Sequence, residues 1–476
     1  MSWLPYLFPN RSNYQFIKNF IDKSRREIFF IMQNSLPSAI VAYRTSQLVR
    51  LLGIGFLTLL FQIPITMIGS LVYERQSRQQ SVIVEVSSKW GKSQSITGPA
   101  LIIPYTYQWN EIGEKGQQIT RIETRRVFFL PKKLQASGKL DSAILYRGIY
   151  SVPVYKLNLT VTGAFQPPNF SELGVDPTTV LWERAQISLG ISDAHAIQEQ
   201  TNLSWNSIPT PFLPSADGFT GSNTGIHAVV NVNPNTDQYE FTFPLLLNGS
   251  LGLYFVPFGQ ETIIDLESNS GNPSFQGNWL PSQRTVSDSH FSALWTIPFL
   301  GRNYPQAWTS QTNMYEAIQA SLFGVNLVDT INSYRMAERS VKYATLFILL
   351  TFMVVWLIEL LAGVHVHPIQ YLLLGAALCM FYLLELSLME HLGFLLAYIL
   401  ASVAVIGMAG AYSYVVLQRT SRTIIVIAVI SGLYAYLYIL LTNGDYALLI
   451  GSLGLFVILA IVMFVTRRID WYKSTP

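Results

Sequence analysis

The chain has 476 residues, of which 50% are hydrophobic and only 12% are charged. An average soluble domain contains about 25% charged residues, so this composition excludes an ordinary soluble protein. The net charge of +3 is too small to indicate a nucleic-acid-binding protein. Cys379 is the single cysteine of the sequence, which excludes a fold built on disulfide bonds.

The first 50 residues carry seven Lys or Arg against Asp22 and Glu27. In this segment apolar residues recur at helical spacing, and basic residues occupy the rest of the turn. The pattern is typical of a basic amphipathic helix lying on an anionic membrane surface; an ordinary helix packed on the membrane domain is the alternative. The apolar positions are Phe16, Ile17, Phe20, Ile21 and Ile28, and the basic ones are Lys18, Lys23, Arg25 and Arg26.

Six apolar segments are long enough to cross a bilayer, because a hydrocarbon core of ~30 Å needs about 20 helical residues. We expect the first to be a retained anchor rather than a signal peptide, since 50 residues precede it and no small-residue cleavage site follows. The segments are residues 51–72, 343–361, 369–388, 394–417, 423–441 and 446–466.

Lys and Arg in the short loops fall on one side when six spans are threaded from a cytoplasmic N-terminus. This matches the positive-inside bias and predicts that residues 1–50 and 467–476 are cytoplasmic, with residues 73–342 in the other compartment. The loop residues placed inside are Arg419, Arg422, Arg467, Arg468 and Lys473, and those placed outside are Glu390, His391 and Asp445. Arg339 and Lys342 flank the membrane on the outer side.

Residues 73–342 show period-2 alternation of apolar residues between short polar turns. This pattern predicts an antiparallel sheet or sandwich rather than a βαβ fold. Asn248-Gly249 predicts a tight hairpin between two runs, and helices are expected at 73–90 and 311–323. The predicted strands are residues 101–107, 121–130, 156–165, 239–247, 251–256 and 291–299.

The predicted fold class is thus a six-helix membrane protein with an inserted domain. One span precedes the insertion and five follow it, at 343–466. The inserted domain is all-β and sandwich-like. Small residues at Ala404, Gly407 and Ala411, and at Gly451 and Gly454, indicate close packing between helices rather than a pore.

Placing an ionisable residue inside or beside a membrane span costs free energy, so such residues are functional candidates. His367 and Glu385 are 18 residues apart in the sequence, about 27 Å along a straight helix, so we expect two separate clusters and no shared metal site. Glu385 lies a turn inside its span and is the best candidate for a buried polar contact. For Glu359, Glu390 and His391, the alternative to a functional role is an interfacial one, with hydrogen bonds to lipid headgroups or loops. The inner cluster is Glu359, His365 and His367, and the outer one is Glu385, Glu390 and His391.

Several motifs occur in a fixed order relative to the spans. The sequence between residues 51 and 472 resembles the CreD family of inner membrane proteins, also called the cell envelope integrity protein family. The motifs that carry the resemblance are Arg339-Ser340-Val341-Lys342-Tyr343-Ala344, His367-Pro368-Ile369-Gln370-Tyr371, Phe381-Tyr382-Leu383-Leu384-Glu385, Glu390-His391-Leu392-Gly393-Phe394, Arg467-Arg468-Ile469-Asp470-Trp471-Tyr472, Gly98-Pro99-Ala100-Leu101 and Ile191-Ser192-Asp193.

The resemblance implies a Gram-negative inner membrane, a periplasmic β domain and a role in envelope integrity linked to stress response. It implies no known reaction. In the β domain, His195-Ala196 and Ser270-Gly271-Asn272 depart from the family pattern.

Two main hypotheses follow. We favour a non-enzymatic envelope protein whose β domain binds a partner protein, glycan or lipid, because no His-Glu-x-x-His, Gly-x-Ser-x-Gly or phosphate-binding glycine loop occurs in the sequence. The alternative is a transporter or channel for a lipid or small molecule that uses polar residues of the C-terminal helices. An intramembrane hydrolase is the weakest hypothesis. No cofactor is predicted; the expected partners are the bilayer and a periplasmic or inner-membrane protein, with nucleic acid excluded.

Overall fold

A computed structural model of the chain describes residues 47–112, 117–215, 224–234, 236–327, 333–364 and 366–467. The chain divides into two compact units, one formed by Met1–Glu74 with Ser333–Pro476 and the other by Arg75–Asn332. The predicted amphipathic helix, His365 and residues 468–476 of the predicted tail lie outside the described residues.

Six helices of the described chain are long and apolar enough to cross a membrane, and they confirm the six predicted spans. Each predicted segment falls within one helix or differs from it by a residue. The short helix α2 belongs to the β unit instead. The helices are α1 (Gln47–Trp90), α2 (Tyr315–Ala320), α3 (Ser333–Ala362), α4 (Pro368–Leu392), α5 (Phe394–Leu417), α6 (Thr420–Thr442) and α7 (Ala447–Thr466).

Local sequence explains where α4 begins and ends. His367 is its N-cap and accepts a hydrogen bond from the backbone N–H of Ile369, while the side chain of Gln370 accepts one from the N–H of His367. Pro368 occupies the first helical position, where a missing N–H is harmless. Gly393, with a φ of 77°, ends α4 and allows α5 to start at the next residue.

Glycine permits close helix packing at positions that differ from the predicted ones. A Cβ on Gly375 of α4 would lie 2.2 Å from the ring of Phe61 on α1 and 2.7 Å from that of Phe352 on α3. The predicted packing face on α5 is wrong for this chain, because Ala404, Gly407 and Ala411 are exposed and a Cβ on Gly407 would meet nothing within 4 Å. Helical spacing placed these three on one face, but that face points away from the bundle.

On α7, the two predicted packing glycines behave differently. A Cβ on Gly454 would overlap the side chain of Tyr436 on α6, whereas one on Gly451 would only reach ordinary contact at 3.9 Å. The packing prediction is therefore confirmed for Gly454. No residue of α7 is buried within the described chain, as expected for a helix surrounded by lipid.

The β unit contains 17 strands among its described residues, arranged in two sheets. The first sheet has the order β13-β17-β11-β1-β5-β9-β8, with β2 and β16 attached beside β1; the second has the order β14-β15-β12-β3-β4-β10-β6-β7. The strands are β1 (Gln94–Ile112), β2 (Gln118–Phe129), β3 (Lys133–Arg147), β4 (Tyr150–Phe165), β5 (Gln186–Ile191), β6 (Asn202–Trp205), β7 (Ile208–Pro211), β8 (Leu213–Pro214), β9 (Gly225–Val229), β10 (Tyr239–Ser250), β11 (Gly252–Phe255), β12 (Glu261–Ser268), β13 (Pro273–Gly277), β14 (Gln283–Ser287), β15 (His290–Pro298), β16 (Ala307–Thr309) and β17 (Phe323–Leu327).

One hydrophobic core joins the two sheets. Leu101 and Phe323 contribute to it from the first sheet, and Leu159, Phe243 and Trp295 from the second; all are fully buried. Alternate residues of β4 and β10 face this core, as the period-2 pattern requires. The sandwich-like all-β prediction is confirmed.

The predicted hairpin at Asn248-Gly249 is wrong. Both residues lie inside β10, where Gly249 pairs with Tyr155 and leaves no room for a Cβ, which would lie 2.3 Å from the tyrosine ring. The chain turns at Leu251, with a φ of 64°, and passes from the second sheet to β11 in the first. The glycine is thus required by a close approach between strands rather than by a turn.

Two further expectations need correction. The sheets are mixed rather than purely antiparallel, since β1 pairs with β11 and β3 with β12 in parallel. The helix predicted at 311–323 shrinks to α2, and its last residue belongs to β17. All six predicted strands exist. Most of the remaining strands are short, but β3 and β12 alternate in burial and were not predicted.

Candidate functional site

Glu385 is a buried carboxyl group inside the helix bundle, about two turns from the C-terminal end of α4. Its side chain is 1% exposed, and its Oε2 accepts a hydrogen bond of 2.7 Å from the hydroxyl of Ser340 on α3. Within the described chain, its Oε1 has no hydrogen-bond partner. Glu385 therefore makes the buried polar contact expected for it, although half of the carboxyl group is left unsatisfied.

Aromatic side chains of α5 and α6 lie near this carboxyl group. Phe381 and Tyr434 stack with ring centroids 4.3 Å apart, and Tyr398 donates a hydrogen bond of 2.6 Å to the carbonyl of Tyr434. Like Glu385 Oε1, the Tyr434 hydroxyl lacks a partner among the described residues. An unpaired charge would be very unfavourable in such a place, so Glu385 is a candidate functional group rather than an ordinary packing residue.

Glu359 lies at the opposite end of α3 and is fully satisfied. Its Oε1 accepts hydrogen bonds from Arg50 at 2.6 Å and from the backbone N–H of Val366 at 3.2 Å. Its Oε2 accepts one of 3.1 Å from the hydroxyl of Tyr371. This is an ion pair with a nearly buried acid, whose side chain is 3% exposed against 23% for Arg50.

A cavity of about 720 Å³ opens beside this ion pair. Its polar lining comes from Arg50, Glu359, His367 and Tyr371, and its apolar lining includes Ile54, Phe56 and Leu57 from the first three turns of α1. His367 is exposed, so its ring can meet a ligand while its Nδ1 caps α4. This end of the bundle combines charge, hydrogen-bond donors and an apolar wall.

The other predicted residues do not join Glu385. Glu390 accepts a hydrogen bond of 2.9 Å from Tyr334, and His391 Nδ1 lies 3.2 Å from the carbonyl of its own helix at Ser387. Arg339 donates to the carbonyl of Leu441 at 3.3 Å, and Lys342 pairs with Glu338 at 2.7 Å. Each has a local partner, and no group of three or more potential metal ligands occurs among the described residues.

The partners of both buried acids were not predicted from the sequence. Arg50 stands 309 positions before Glu359, so no local pattern joins them. Arg50 and Glu359 were nonetheless the charged residues at the ends of their spans, and a bilayer places such ends at one level. Ser340 had no distinguishing signal except that it lies in a span.

In the β unit, β1 and β2 continue beyond the sheet as a two-stranded ribbon in which residues 106–112 pair with 118–124. β1 pairs with β5 only as far as Ile102, and β2 pairs with β16 only from Val127. Among the described residues, both outer edges of the ribbon therefore carry no neighbouring strand. No sequence pattern distinguishes this ribbon from the rest of the sheet, because alternation is the same in both.

One face of the ribbon presents aromatic and charged side chains. Tyr107 and Trp109 stack with centroids 5.9 Å apart, and the guanidinium of Arg125 lies 3.5 Å from the centre of the Tyr107 ring. Arg121 pairs with Glu111 at 3.0 Å, and Arg125 with Glu123 at 2.7 Å. Both rings are 38% exposed.

The Ser192, Asp193 and His195 group is not arranged for nucleophilic catalysis. Ser192 donates to the carbonyl of Ser93 at 3.1 Å, and Asp193 accepts from the backbone N–H of Lys92 at 3.0 Å. His195 lies 3.6 Å from Asp193 but is fully exposed. The hydrogen bonds of Ser192 and Asp193 connect the end of β5 to the junction between α1 and β1.

The family model described as inner membrane protein CreD matches residues 46–472. The inner membrane protein CreD of Escherichia coli (strain K12) is 32% identical over 416 residues, which cover 87% of this chain and 91% of that protein.

Two solved structures show weak likeness. A mutant M1 zinc metallopeptidase of Deinococcus radiodurans has a TM-score of 0.21 and 9% identity, with 44% of this chain and 52% of that chain covered. A two-domain M1 zinc metallopeptidase has a TM-score of 0.17 and 10% identity, with coverages of 35% and 39%. Likeness at this level carries no argument.

The family match and the E. coli relative both extend over most of the chain, through the span before the β unit and the five after it. The chain belongs to the CreD family of inner membrane proteins.

Proposed function

We propose that this inner membrane protein supports the integrity of the cell envelope without catalysing a reaction, by binding an extended segment of a partner protein on the β1–β2 ribbon. The ribbon is the observation that carries the proposal. An isolated two-stranded hairpin is at best marginally stable in water, and this one exposes Ile112 and Ile122 as well as its aromatic pair. Large exposed apolar patches mark interaction sites, and the ribbon supplies apolar groups for such a site.

A protein segment fits the ribbon better than a glycan or a lipid does. The free edges of β1 and β2 offer rows of backbone N–H and C=O groups, which an extended polypeptide pairs with by adding a strand. Tyr, Trp and Arg are also the residues that contribute most to protein interfaces. The charges on the aromatic face are paired with one another, Arg121 with Glu111 and Arg125 at the base of the ribbon with Glu123, so no strongly charged partner is required.

The proposal places the β unit in the periplasm and both termini in the cytoplasm. Its support is the positive-inside bias together with two contacts of the helix bundle. Arg422 donates to the carbonyl of Ala362 at 3.4 Å, and Arg50 pairs with Glu359, so basic residues gather at the end of the bundle where α3 ends and α4 begins.

This orientation can be tested separately. In a Cys379→Ala background, we expect Ser171→Cys to react with a membrane-impermeant maleimide in spheroplasts, and Ser421→Cys to react only after lysis. Both serines are exposed. The reverse labelling pattern would reject the orientation.

Partner binding is tested by photo-crosslinking in intact cells. A photoreactive residue in place of Ile122 should capture a defined protein, and the double change Tyr107→Ala with Trp109→Ala should abolish the capture and raise envelope permeability to a dye. Tyr146→Ala is the matched control, since Tyr146 is an exposed strand tyrosine outside the ribbon, with 73% exposure. Capture of glycan or lipid instead of protein would reject the partner class, and equal effects of both variants would reject the ribbon.

The second candidate function is transport, which the unsatisfied carboxyl group of Glu385 favours. A carboxyl group in a membrane bundle can release a proton and take one up again as its surroundings change. If this is its role, proteoliposomes should show proton-coupled flux that Glu385→Gln abolishes and Glu390→Gln leaves intact. Absence of flux under any imposed gradient would remove this candidate.

A further inference from the structure

We infer that the cavity beside Arg50 and Glu359 binds the phosphate-bearing headgroup of a membrane lipid. The inference concerns the helix bundle alone and does not depend on the proposed role of the β unit. It rests on three features of the cavity, which are its free donors, its apolar wall and the order in which they follow each other along α1.

The donors are supplied by Arg50 and His367. Arg50 uses Nη1 for Glu359, and its Nε and Nη2 groups make no other hydrogen bond among the described residues. Since His367 Nδ1 accepts a hydrogen bond from Ile369, the proton of a neutral ring lies on Nε2, which is left as a donor. Glu359 is already satisfied by three donors, so it does not compete for these groups. The free donor set suits an anion.

Apolar side chains continue the cavity along α1. Ile54, Phe56 and Leu57 follow Arg50 within two turns, so the wall changes from charged to apolar over about 10 Å. The Phe56 side chain is 65% exposed. An amphiphile with its phosphate at Arg50 would lay its acyl chain against these residues, whereas free phosphate would leave them uncovered. The volume of about 720 Å³ is within the range of ligand sites.

The test measures binding of a fluorescent phosphatidylglycerol to the purified full-length protein in detergent. Unlabelled phosphatidylglycerol should displace the probe, while a diacylglycerol with the same chains, which lacks the phosphate, should compete about tenfold less well or worse, because charge-assisted hydrogen bonds are the strong ones. Inorganic phosphate should not compete at similar concentrations, because it gains nothing from the apolar wall.

The variant to compare is Arg50→Gln with Glu359→Gln, since removing Arg50 alone would leave a buried carboxylate without its cation. We expect the double variant to lose about tenfold or more in affinity for the probe, by the same reasoning. Lys342→Gln is the control; it removes an exposed cation of α3 outside this cavity and should leave affinity unchanged. Should the double variant fail to fold, Arg50→Lys, which keeps the charge but has one donor nitrogen in place of three, should still weaken binding.

Each outcome decides one part of the inference. Unchanged affinity in a folded Arg50 variant would overturn the site. Equal competition by diacylglycerol would overturn phosphate recognition, and equal competition by inorganic phosphate would overturn the assignment to a lipid.

Discussion

The hydroxyl of Ser340 on α3 and the carboxyl group of Glu385 on α4 form a hydrogen bond of 2.7 Å between two fully buried side chains. The bond joins two membrane helices where neither side chain can reach water. If this hydrogen bond is removed, the group left without a partner must therefore find another within the bundle.

We predict that Ser340→Ala lowers the free energy of unfolding by about 0.6–1.7 kcal/mol, between the average and the largest value measured for interhelical hydrogen bonds in a membrane protein. Glu385→Gln should be tolerated better, because an amide keeps the acceptor for Ser340. Unfolding of the purified protein in mixed micelles measures both. Ser452→Ala, which changes an exposed serine of α7, should have no effect; a loss equal to that of Ser340→Ala would contradict the prediction.

Gly375→Ala should destabilise the helix bundle by about 1–3 kcal/mol, the usual result of overpacking. The added methyl group would press against Phe61 and Phe352, both of which are buried. Gly407→Ala is the matched change on a neighbouring helix, where nothing lies within 4 Å. Thermal unfolding midpoints of the two variants, measured in the same detergent, should therefore differ, and equal midpoints would show that the bundle adapts to the extra volume.

Arg302→Met should destabilise the β unit by about 2–4 kcal/mol, because buried acceptors that lose their donor are costly. Arg302 is 8% exposed and donates to the carbonyls of Pro257 and Phe258 and to the side chain of Gln306. Burial lowers the pKa of its guanidinium below the usual value, yet arginine stays charged in proteins, so the effect should not vary between pH 6 and 8, well below an arginine pKa of about 12.5.

Limited proteolysis of the full-length protein can follow this change, since an opened β unit exposes new cleavage sites. Arg284→Met, at an exposed arginine of β14, is the control. Equal protease resistance of the two variants would mean that Arg302 contributes nothing beyond filling space.

Replacing residues 106–124 by Asn-Gly should leave the β unit folded while removing the ribbon. Tyr105 and Arg125 are paired, so a two-residue turn can join them. The core members of β1 end at Tyr105 and those of β2 begin at Val127, so no described core side chain is lost. The thermal midpoint should shift by no more than about 4 °C, the change that corresponds to about 1 kcal/mol. A collapse of stability would show that the ribbon is part of the fold rather than a binding element.

The sequence by itself determined the six spans, the β class of the insertion and the separation of Glu359 from Glu385. These properties depend on the length, hydropathy and period of a local segment. Those quantities decide whether the segment can span a bilayer or form a strand. The outward continuation of α1 to Trp90 was likewise visible from the residues.

Only the tertiary structure decided which side chains meet. Gly249 carried a turn signal but lies in a strand, where the ring of Tyr155 on β4 leaves no room for a Cβ. Gly407 had the right spacing for packing, yet Gly375 is the glycine that allows neighbouring helices to approach closely. Arg50 became the partner of Glu359 across 309 positions. Such contacts depend on how separate elements dock, and no periodicity within one element contains that information.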